Sequence, residues 1–386
     1  TKLEKQLALI WGQTLGLTEI DVYDSIYNQG GDSILATRIV NAAKEKYHIT
    51  ISISEIFKYA SIDKLANYLE QKEVAASEVK EIKENAQTIR TESQYYPLSV
   101  EQKRIYFLHQ LSELKTVYNL PFHTVLPKML KPDYLHKAIE ILGERHLVLR
   151  TVFLSRNGVI MQKVLDRLDL EIECVKLQDE DQDRALELLF QRENEFIFDL
   201  SKPLIRVMLI ELNDQSCCLY LNLHHLITDG WSTRILLQEL YQIYTCQEQG
   251  KEVTLQELPL TYFDWIQERE NWLQTGQAKE MEQYWLKELE APLPVLELPS
   301  DFKRPRVQQY QGNYVLGFLD EEVTRKVKKL AEFSHTTLHV VMMSVYFVLL
   351  QKLTGNKDII VGFPMTLRSG RELEQVVGLF VNTLCV

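Results

Sequence analysis

The segment from Leu223 to Gly230 carries residue types from which proton-transfer chemistry is built. It reads Leu-His-His-Leu-Ile-Thr-Asp-Gly, which places two imidazoles, a carboxylate and a glycine close together. The apolar run 217–223 predicts a buried strand before it, and helically spaced apolar residues predict a helix after it, with Ser232 as the cap. The two histidines are therefore expected on a turn at a strand end, where reactive groups are presented to a cleft. The plainer alternative is a buried histidine bonded to a carbonyl beside an ordinary Asp-Gly turn.

A second motif, Gly-Gly-Asp-Ser-Ile-Leu, occupies residues 30–35. It predicts that Ser33 opens a helix, where a serine most often serves only as a cap. Two preceding glycines leave the Ser33 hydroxyl uncrowded, and the N-terminus of a helix favours an anion beside it. A phosphodiester on Ser33 fits this environment.

The chain divides by composition into three parts. Residues 1–72 predict a small all-α bundle of about four helices, one of them the short segment 54–57. Residues 73–94 are polar and charged without an aromatic residue, which is typical of a linker. From residue 95 to 386, strand-like runs such as 204–210 and 358–362 alternate with amphipathic helices, which indicates an α/β domain. Two of those helices are expected to carry Leu135 through His146 and to run from Val340 to Leu353.

Residues 1–72 resemble a peptidyl carrier (thiolation) domain. The resemblance rests on the glycine-containing motif, in which Asp32 precedes the serine that receives the arm. It implies that Ser33 carries a covalent 4′-phosphopantetheine, attached by a phosphopantetheinyl transferase. The Asp form of the motif is common on carriers that precede epimerization domains.

The region after residue 95 resembles the condensation domains of nonribosomal peptide synthetases. Six blocks occur in the expected order: 99–108, 118–121, 145–153 (with Leu147 where an acidic residue is usual), 223–230, 262–265 and 377–383. The resemblance implies two chloramphenicol-acetyltransferase-like lobes with the active site at their seam, an N-lobe about 95–270 and a C-lobe about 271–386. Such domains continue past the last block, so the second lobe is expected to be incomplete. The chain also begins at Thr1 rather than Met, as expected of a fragment.

The resemblance also assigns roles to the residues of the site. It places His225 at the reacting groups and leaves His224 to packing, since neighbouring residues of an extended segment point to opposite sides. It pairs Asp229 with a distant arginine, for which Arg368 is preferred and Arg150 is second; the residues alone leave open a catalytic carboxylate–imidazole dyad. Gly230 is expected to let backbone approach a thioester, Asn382 to line the tunnel, and Trp231 and Ser232 to pack and cap. These supporting assignments complete the expected site.

Because the carrier precedes the condensation domain, Ser33 is expected to deliver the donor to an aminoacyl acceptor on a downstream carrier, after loading by an upstream adenylation domain. The stretch 102–111 resembles the class that joins an L-donor to an L-acceptor. An epimerization domain is the second enzyme hypothesis, because it shares the His-His motif. An inactive recruitment platform is the third, although platforms usually lose the second histidine. Heterocyclization is disfavoured, since that subfamily replaces both histidines with aspartates.

Composition excludes some classes of function. A net charge of −11 argues against a general nucleic-acid surface, and no apolar run reaches the length of a membrane span. No signal-peptide pattern opens the chain. Five cysteines lack metal-ligand or redox spacing, so no metal site is expected, and reduced thiols in a cytoplasmic enzyme are the simplest account.

Overall fold

A computed structural model describes most of the chain. The described residues are 1–15, 20–24, 33–47, 49, 51, 55–56, 59, 61–75, 95–112, 114–177, 181–212, 215–303, 305, 310 and 312–386. The helices are α1 (Lys2–Leu15), α2 (Ser33–Tyr47), α3 (Ile62–Ala75), α4 (Val100–Leu111), α5 (Pro132–Arg145), α6 (Gln182–Asn194), α7 (Gly230–Glu248), α8 (Tyr262–Leu273), α9 (Gly276–Glu288), α10 (Glu321–Phe333) and α11 (Leu338–Thr354). The strands are β1 (Tyr95–Pro97), β2 (Asn119–Leu126), β3 (Thr151–Arg156), β4 (Val159–Val164), β5 (Ile172–Lys176), β6 (Ile205–Glu211), β7 (Cys217–His224), β8 (Gly362–Thr366) and β9 (Val381–Cys385).

The first three helices share one apolar core. Their predicted apolar faces converge on it, and its fully buried members include Leu7, Trp11, Ile39 and Leu65. These helices are therefore confirmed. Of the predicted short segment 54–57, Glu55 and Ile56 are helical and the remainder lies outside the described residues, as do most of the predicted linker and Asp32.

A four-stranded sheet in the order β2-β7-β6-β5 organises the second region. β7 pairs antiparallel with both β2 and β6, and every one of its residues is buried. Alternate residues of β7 serve two cores: Leu221 and Leu223 pack with α5 and α7, whereas Cys218 and Tyr220 pack with α6. Helices cover both faces of the sheet, so the predicted buried strand is confirmed. Its last residue, His224, is held in place by the pairing of β7 with β2 and β6.

Two smaller sheets flank this one, with the orders β1-β4-β3 and β8-β9. The strand predicted at 358–362 is misplaced, because β8 begins only at Gly362. Its ladder is set by β9, which pairs Gly362 with Cys385 and Thr366 with Val381. Val361 continues this pairing through reciprocal backbone hydrogen bonds with Val386 at 2.9 Å, whereas residues 358–360 precede the paired segment.

The apolar helix α11 contains the predicted helix 340–353. Its buried residues are Val341 and Leu350, and most of its other large apolar side chains are exposed. The described residues therefore leave much of its surface uncovered. Among those residues, no single helix has the length and apolar character needed to cross a bilayer; α10 and α11 meet that test only jointly, with a 106° bend between them.

A buried ionic cluster joins the end of α5 to the middle of α7. Glu239 accepts hydrogen bonds from Arg145 Nε at 3.0 Å and 3.1 Å, and its Oε2 lies 2.7 Å from His146 Nε2. His146, predicted on the face of α5, stands one residue past its end, where its N–H bonds to Leu142 O. The cluster fixes α7 against α5 and thereby the segment from which α7 starts.

Glu239→Ala is expected to lower the free energy of unfolding by about 3 kcal/mol, because it leaves buried His146 and partly buried Arg145 without their carboxylate. Urea denaturation measures this loss. The control is Glu248→Ala, on the same helix as Glu239. It removes only a solvent-exposed ion pair with Lys128 and should change the urea midpoint little. Equal effects of the two variants would contradict a structural role for the cluster.

Candidate active site

The two histidines are held at the end of β7 by backbone hydrogen bonds. The His224 N–H donates to Leu204 O at 3.1 Å, and the His225 N–H donates to Tyr118 O at 2.8 Å. His224 is fully buried, whereas His225 is partly exposed on the following turn. The alternation of an extended segment thus separates them, with His225 as the accessible imidazole.

The His224 ring is enclosed and hydrogen-bonded to its own turn. Its Nδ1 accepts the Leu226 N–H at 3.1 Å, which places the proton of the neutral ring on Nε2. The rings of His109, Phe198 and Tyr118 lie 5.2, 5.9 and 6.3 Å from it between centroids. Burial, together with His109 and His225, lowers the pKa of His224 to about 3. His224 is therefore neutral at physiological pH and fixes the turn rather than accepting a second proton.

Asp229 is a hub in which both carboxylate oxygens are occupied. Its Oδ1 accepts the Ser232 N–H at 2.7 Å and lies 3.4 Å from Arg368 Nη2, while its Oδ2 accepts the Phe380 N–H at 3.0 Å. None of these bonds reaches either histidine. The geometry therefore disfavours a carboxylate–imidazole dyad and matches the Arg368 pairing that the resemblance implied.

Arg368 fastens the loop between β8 and β9 to this hub. Its Nη1 donates to the carbonyls of Leu373 and Val376, both at 2.6 Å, and its carbon Cζ lies 3.9 Å from the centroid of the Phe380 ring. Burial lowers the pKa of Arg368, and the neighbouring Asp229 opposes that shift. Arg368 is thus the cation that balances the buried carboxylate.

The prediction that Ser232 caps α7 is wrong, because Asp229 is the cap. Asp229 is extended and its side chain accepts the Ser232 N–H, so the helix begins at Gly230. The Ser232 hydroxyl instead donates to Gly378 O at 2.8 Å and accepts from the Gly378 N–H at 3.0 Å. Trp231 packs as expected and donates its indole N–H to Glu374 O at 3.0 Å. Both residues bind the loop that Arg368 holds.

Arg150 and Asn382 lie elsewhere. Arg150 donates to the carbonyls of Gly143, in α5, and Leu165, which follows β4. It therefore joins these two segments and is not the partner of Asp229. Asn382 accepts from Arg104 Nη1 at 3.2 Å and so links β9 to α4. The proposed lining role of Asn382 stays a prediction.

Gly230 stands at one end of an open groove of about 450 Å³ beside α7. The groove is lined by Phe122, Gly230, Thr233, Arg234, Leu237, Gln238 and Tyr241. A Cβ at Gly230 would meet no atom within 4 Å. A Cβ would thus fit at this position, and packing does not require the glycine.

Sequence reasoning did not single out four residues that support this site. Gln102 Nε2 donates to Leu226 O at 2.9 Å and to Gln162 Oε1 at 2.8 Å. Gln102 thus binds the turn after His225, and buried Gln162 holds the Gln102 amide in place. A Cβ at Gly378 would lie 2.2 Å from the Tyr262 ring, which makes the glycine necessary for their packing. Gln102, Tyr262 and Gly378 belong to the recognised blocks, but Gln102 is 60 residues from Gln162 and 124 from Leu226, and Tyr262 is 117 from Leu379. Block membership was the only available signal.

Ser33 is the first residue of α2, whose first turn contains no acidic residue. The N-terminus of this helix therefore favours an anion and fits a phosphodiester. When bound, 4′-phosphopantetheine would supply a thiol that holds an acyl group as a thioester.

Solved structures share the fold of the second region. A mutant starter condensation domain of rhizomide synthetase, in complex with C8-CoA and Leu-SNAC, has a TM-score of 0.64 at 20% identity, covering 76% of this chain and 65% of that chain. The X-domain in complex with OxyB from teicoplanin biosynthesis gives 0.70 at 20% identity, covering 80% and 68%. These similarities establish the two-lobed condensation-domain fold, related to chloramphenicol acetyltransferase.

Family models match both regions. Residues 5–69 match the phosphopantetheine attachment site and residues 92–386 match the condensation domain. The chain therefore belongs to the condensation-domain family, the amide-forming acyltransferase domains of nonribosomal peptide synthetases, with a carrier domain before it. The carrier match also establishes 4′-phosphopantetheine as its covalent cofactor.

Curated relatives are synthases much longer than this chain. The chain is 34% identical to bacitracin synthase 2 of Bacillus licheniformis over 387 residues, covering 99% of this chain and 14% of that protein. It is also 34% identical to surfactin synthase subunit 2 of Bacillus subtilis (strain 168) over 390 residues, covering 100% and 10%. The chain thus spans a small part of these relatives' length.

Asp229→Asn is expected to lower both stability and activity. The variant keeps a capping oxygen but leaves buried Arg368 without its anion, at a cost of about 3 kcal/mol in unfolding free energy. Asp320→Asn, at the exposed N-cap of α10, is the matched control and should cost little. An unchanged melting temperature of Asp229→Asn with lost turnover would instead indicate a direct chemical role.

Acid is expected to destabilise the protein partly through His224. Because folding lowers the pKa of His224 from 6.5 to about 3, its contribution to stability is complete above about pH 6.5. It is lost as the pH falls from there toward 3, since the unfolded chain then binds the extra proton. Urea midpoints between pH 7 and pH 5 should fall less steeply in His224→Asn, which keeps an acceptor but does not titrate.

The exposed His136→Asn provides the comparison and should retain the wild-type slope. Identical slopes for His224→Asn and the wild type would contradict this assignment.

Proposed function

We propose that the chain forms an amide bond between two carrier-bound substrates during nonribosomal peptide synthesis. Ser33 carries the donor thioester, and the attacking group is the α-amine of an aminoacyl thioester on a downstream carrier. The amide C–N bond forms as the thioester C–S bond breaks, and the thiol leaves on the Ser33 arm. The observation that carries this proposal is the partly exposed His225, held on the turn between β7 and α7 by the hydrogen bond from its N–H to Tyr118 O.

Positioning supplies most of the expected rate enhancement. Tethering both reactants makes their encounter nearly intramolecular, which is worth about 7–11 kcal/mol when the geometry is right. An α-amine titrates at about 7.7–8.0, so roughly a tenth to a sixth of it is already neutral at pH 7. His225 therefore needs only to orient the amine and accept its proton as the bond forms, at the lower end of the roughly 10²–10⁴-fold range of general-base catalysis.

The remaining assignments belong to the same proposal. The carrier domain spans 1–72, the linker 73–94 and the condensation domain 95–386, with lobes about 95–270 and 271–386. Asp229 and Arg368 hold the catalytic turn, Gly230 admits the substrate backbone and Asn382 lines its path. An upstream adenylation domain loads the arm that a phosphopantetheinyl transferase attaches to Ser33, in the cytoplasm.

Substrate configuration is proposed from the stretch 102–111, which favours an L-donor and an L-acceptor. Epimerization of the carrier-bound residue is the second candidate, favoured by the Asp form of the Ser33 motif. The block 145–153, with its Arg-His and Leu-Arg-Thr elements, favours condensation over it. An inactive recruitment platform is disfavoured because His225 is present.

The test follows both carriers by intact mass in the intact protein. An L-aminoacyl-phosphopantetheine is loaded onto Ser33, a charged acceptor carrier is added, and the wild type is compared with His225→Ala. We expect the donor mass to move to the acceptor in the wild type and roughly a hundred-fold more slowly in the variant. Ser33→Ala should fold normally and gain no arm.

Other outcomes separate the alternatives. Inversion of the donor α-carbon on Ser33 without transfer, read by chiral analysis of the released amino acid because the mass does not change, would mean epimerization. Neither transfer nor inversion would favour the platform, and an arm attached to Ser33→Ala would overturn the carrier assignment.

A further inference from the structure

The buried face of α4 lies against both sides of the catalytic turn. Gln102 and His109 share this face with Ile105, and all three are buried. Gln102 holds the carbonyl of Leu226, the residue after His225, and the ring of His109 lies 5.2 Å from that of His224, the residue before it. One helix therefore supports His225 from both neighbours.

His109 contributes a ring rather than a hydrogen bond at this contact. It is 4% exposed, and neither ring nitrogen has a hydrogen-bond partner among the described residues. Burial lowers its pKa, as does Lys115. Lys115 Nζ donates to the carbonyls of His109 and Gln110, at 2.6 and 2.8 Å, and so fixes the end of α4 where His109 stands. The His109 side chain is therefore a neutral ring held at the end of α4, which Lys115 fixes in place.

We propose that His109 is a positioning residue for His225 and acts through His224. The His109 ring closes one side of the enclosure around His224, whose Nδ1 holds the Leu226 N–H. The turn that presents His225 is therefore fixed as long as the His224 ring stays in place. This inference rests on the proposed function, because it assigns His109 to the same reaction without contact with the substrate.

The titratable groups that influence this pair agree with a neutral contact. His225 and His109 both lower the pKa of His224, and Lys115 lowers that of His109. Tyr118, the remaining titratable ring beside His224, has its pKa raised, chiefly by burial. A charge on either histidine would therefore meet burial and like charges together, whereas two neutral rings pack at an ordinary aromatic distance.

The test compares His109→Ala, which empties the space beside His224, with His109→Phe, which keeps a ring. At saturating acceptor we expect His109→Ala to lower kcat for transfer by roughly ten-fold or more with KM nearly unchanged, because small misplacements of a reacting group are costly. His109→Phe should restore kcat to within about three-fold of wild type. Phe107→Ala, on the exposed side of the same helix, is the control and should leave kcat unchanged.

A readout independent of activity uses side-chain ¹⁵N NMR of labelled histidines. His224 should remain a single Nε2–H tautomer that does not titrate between pH 6 and pH 8 in the wild type and in His109→Phe. In His109→Ala, water beside the ring should allow tautomer exchange and titration. If the wild type transfers nothing, the proposed function fails, and this spectrum alone decides whether His109 holds His224.

Two results would overturn the inference. His109→Ala could leave both kcat and the His224 resonances unchanged, which would show that the ring positions nothing. Alternatively, a folded His109→Phe could be as slow as His109→Ala, which would assign the chemistry to the nitrogens of His109 itself.

Discussion

The buried carboxylate of Asp229 is the constraint on which the site depends. A fully buried charge is tolerated only when it is paired and hydrogen-bonded, and Asp229 meets that condition with the Ser232 and Phe380 amides and the Arg368 guanidinium. These partners come from the start of α7 and from the loop between β8 and β9. Satisfying one side chain therefore joins two distant segments of the chain and fixes the turn that precedes α7.

The two adjacent histidines occupy different environments in this arrangement. His224 lies in an aromatic enclosure and donates no proton to the chemistry, whereas His225 faces the accessible side of the turn. Because the Asp229 carboxylate is committed to Arg368 and to backbone amides, it does not pair with His225, which under the proposed function acts without that carboxylate. In the proposed reaction both substrates are tethered and the amine titrates near neutral pH, so a well-placed base that accepts one proton is sufficient.

The sequence predicted what is local and missed what is distant. The strand 217–223 and the helix after it follow from apolar spacing, and the Arg368 pairing follows from the family resemblance. Ser232 was misassigned because a serine near a helix start resembles a cap, while its real partner, Gly378, lies 146 residues away. Long separations in sequence also left unpredicted the contact of Gln102 with Leu226 and that of Tyr262 with Gly378. The start of β8 was misplaced because its pairing with β9 decides where the strand begins.

The most direct measurement of the Asp229 constraint is a double-mutant cycle in unfolding free energy with Asp229→Asn and Arg368→Gln. Groups that share one buried network typically show coupling energies of about 0.5–3 kcal/mol. The structure predicts a coupling of at least about 1 kcal/mol, because either single variant already breaks the pair. Effects that add to within about 0.5 kcal/mol would contradict it, since they would show that the carboxylate and the guanidinium stabilise the turn independently.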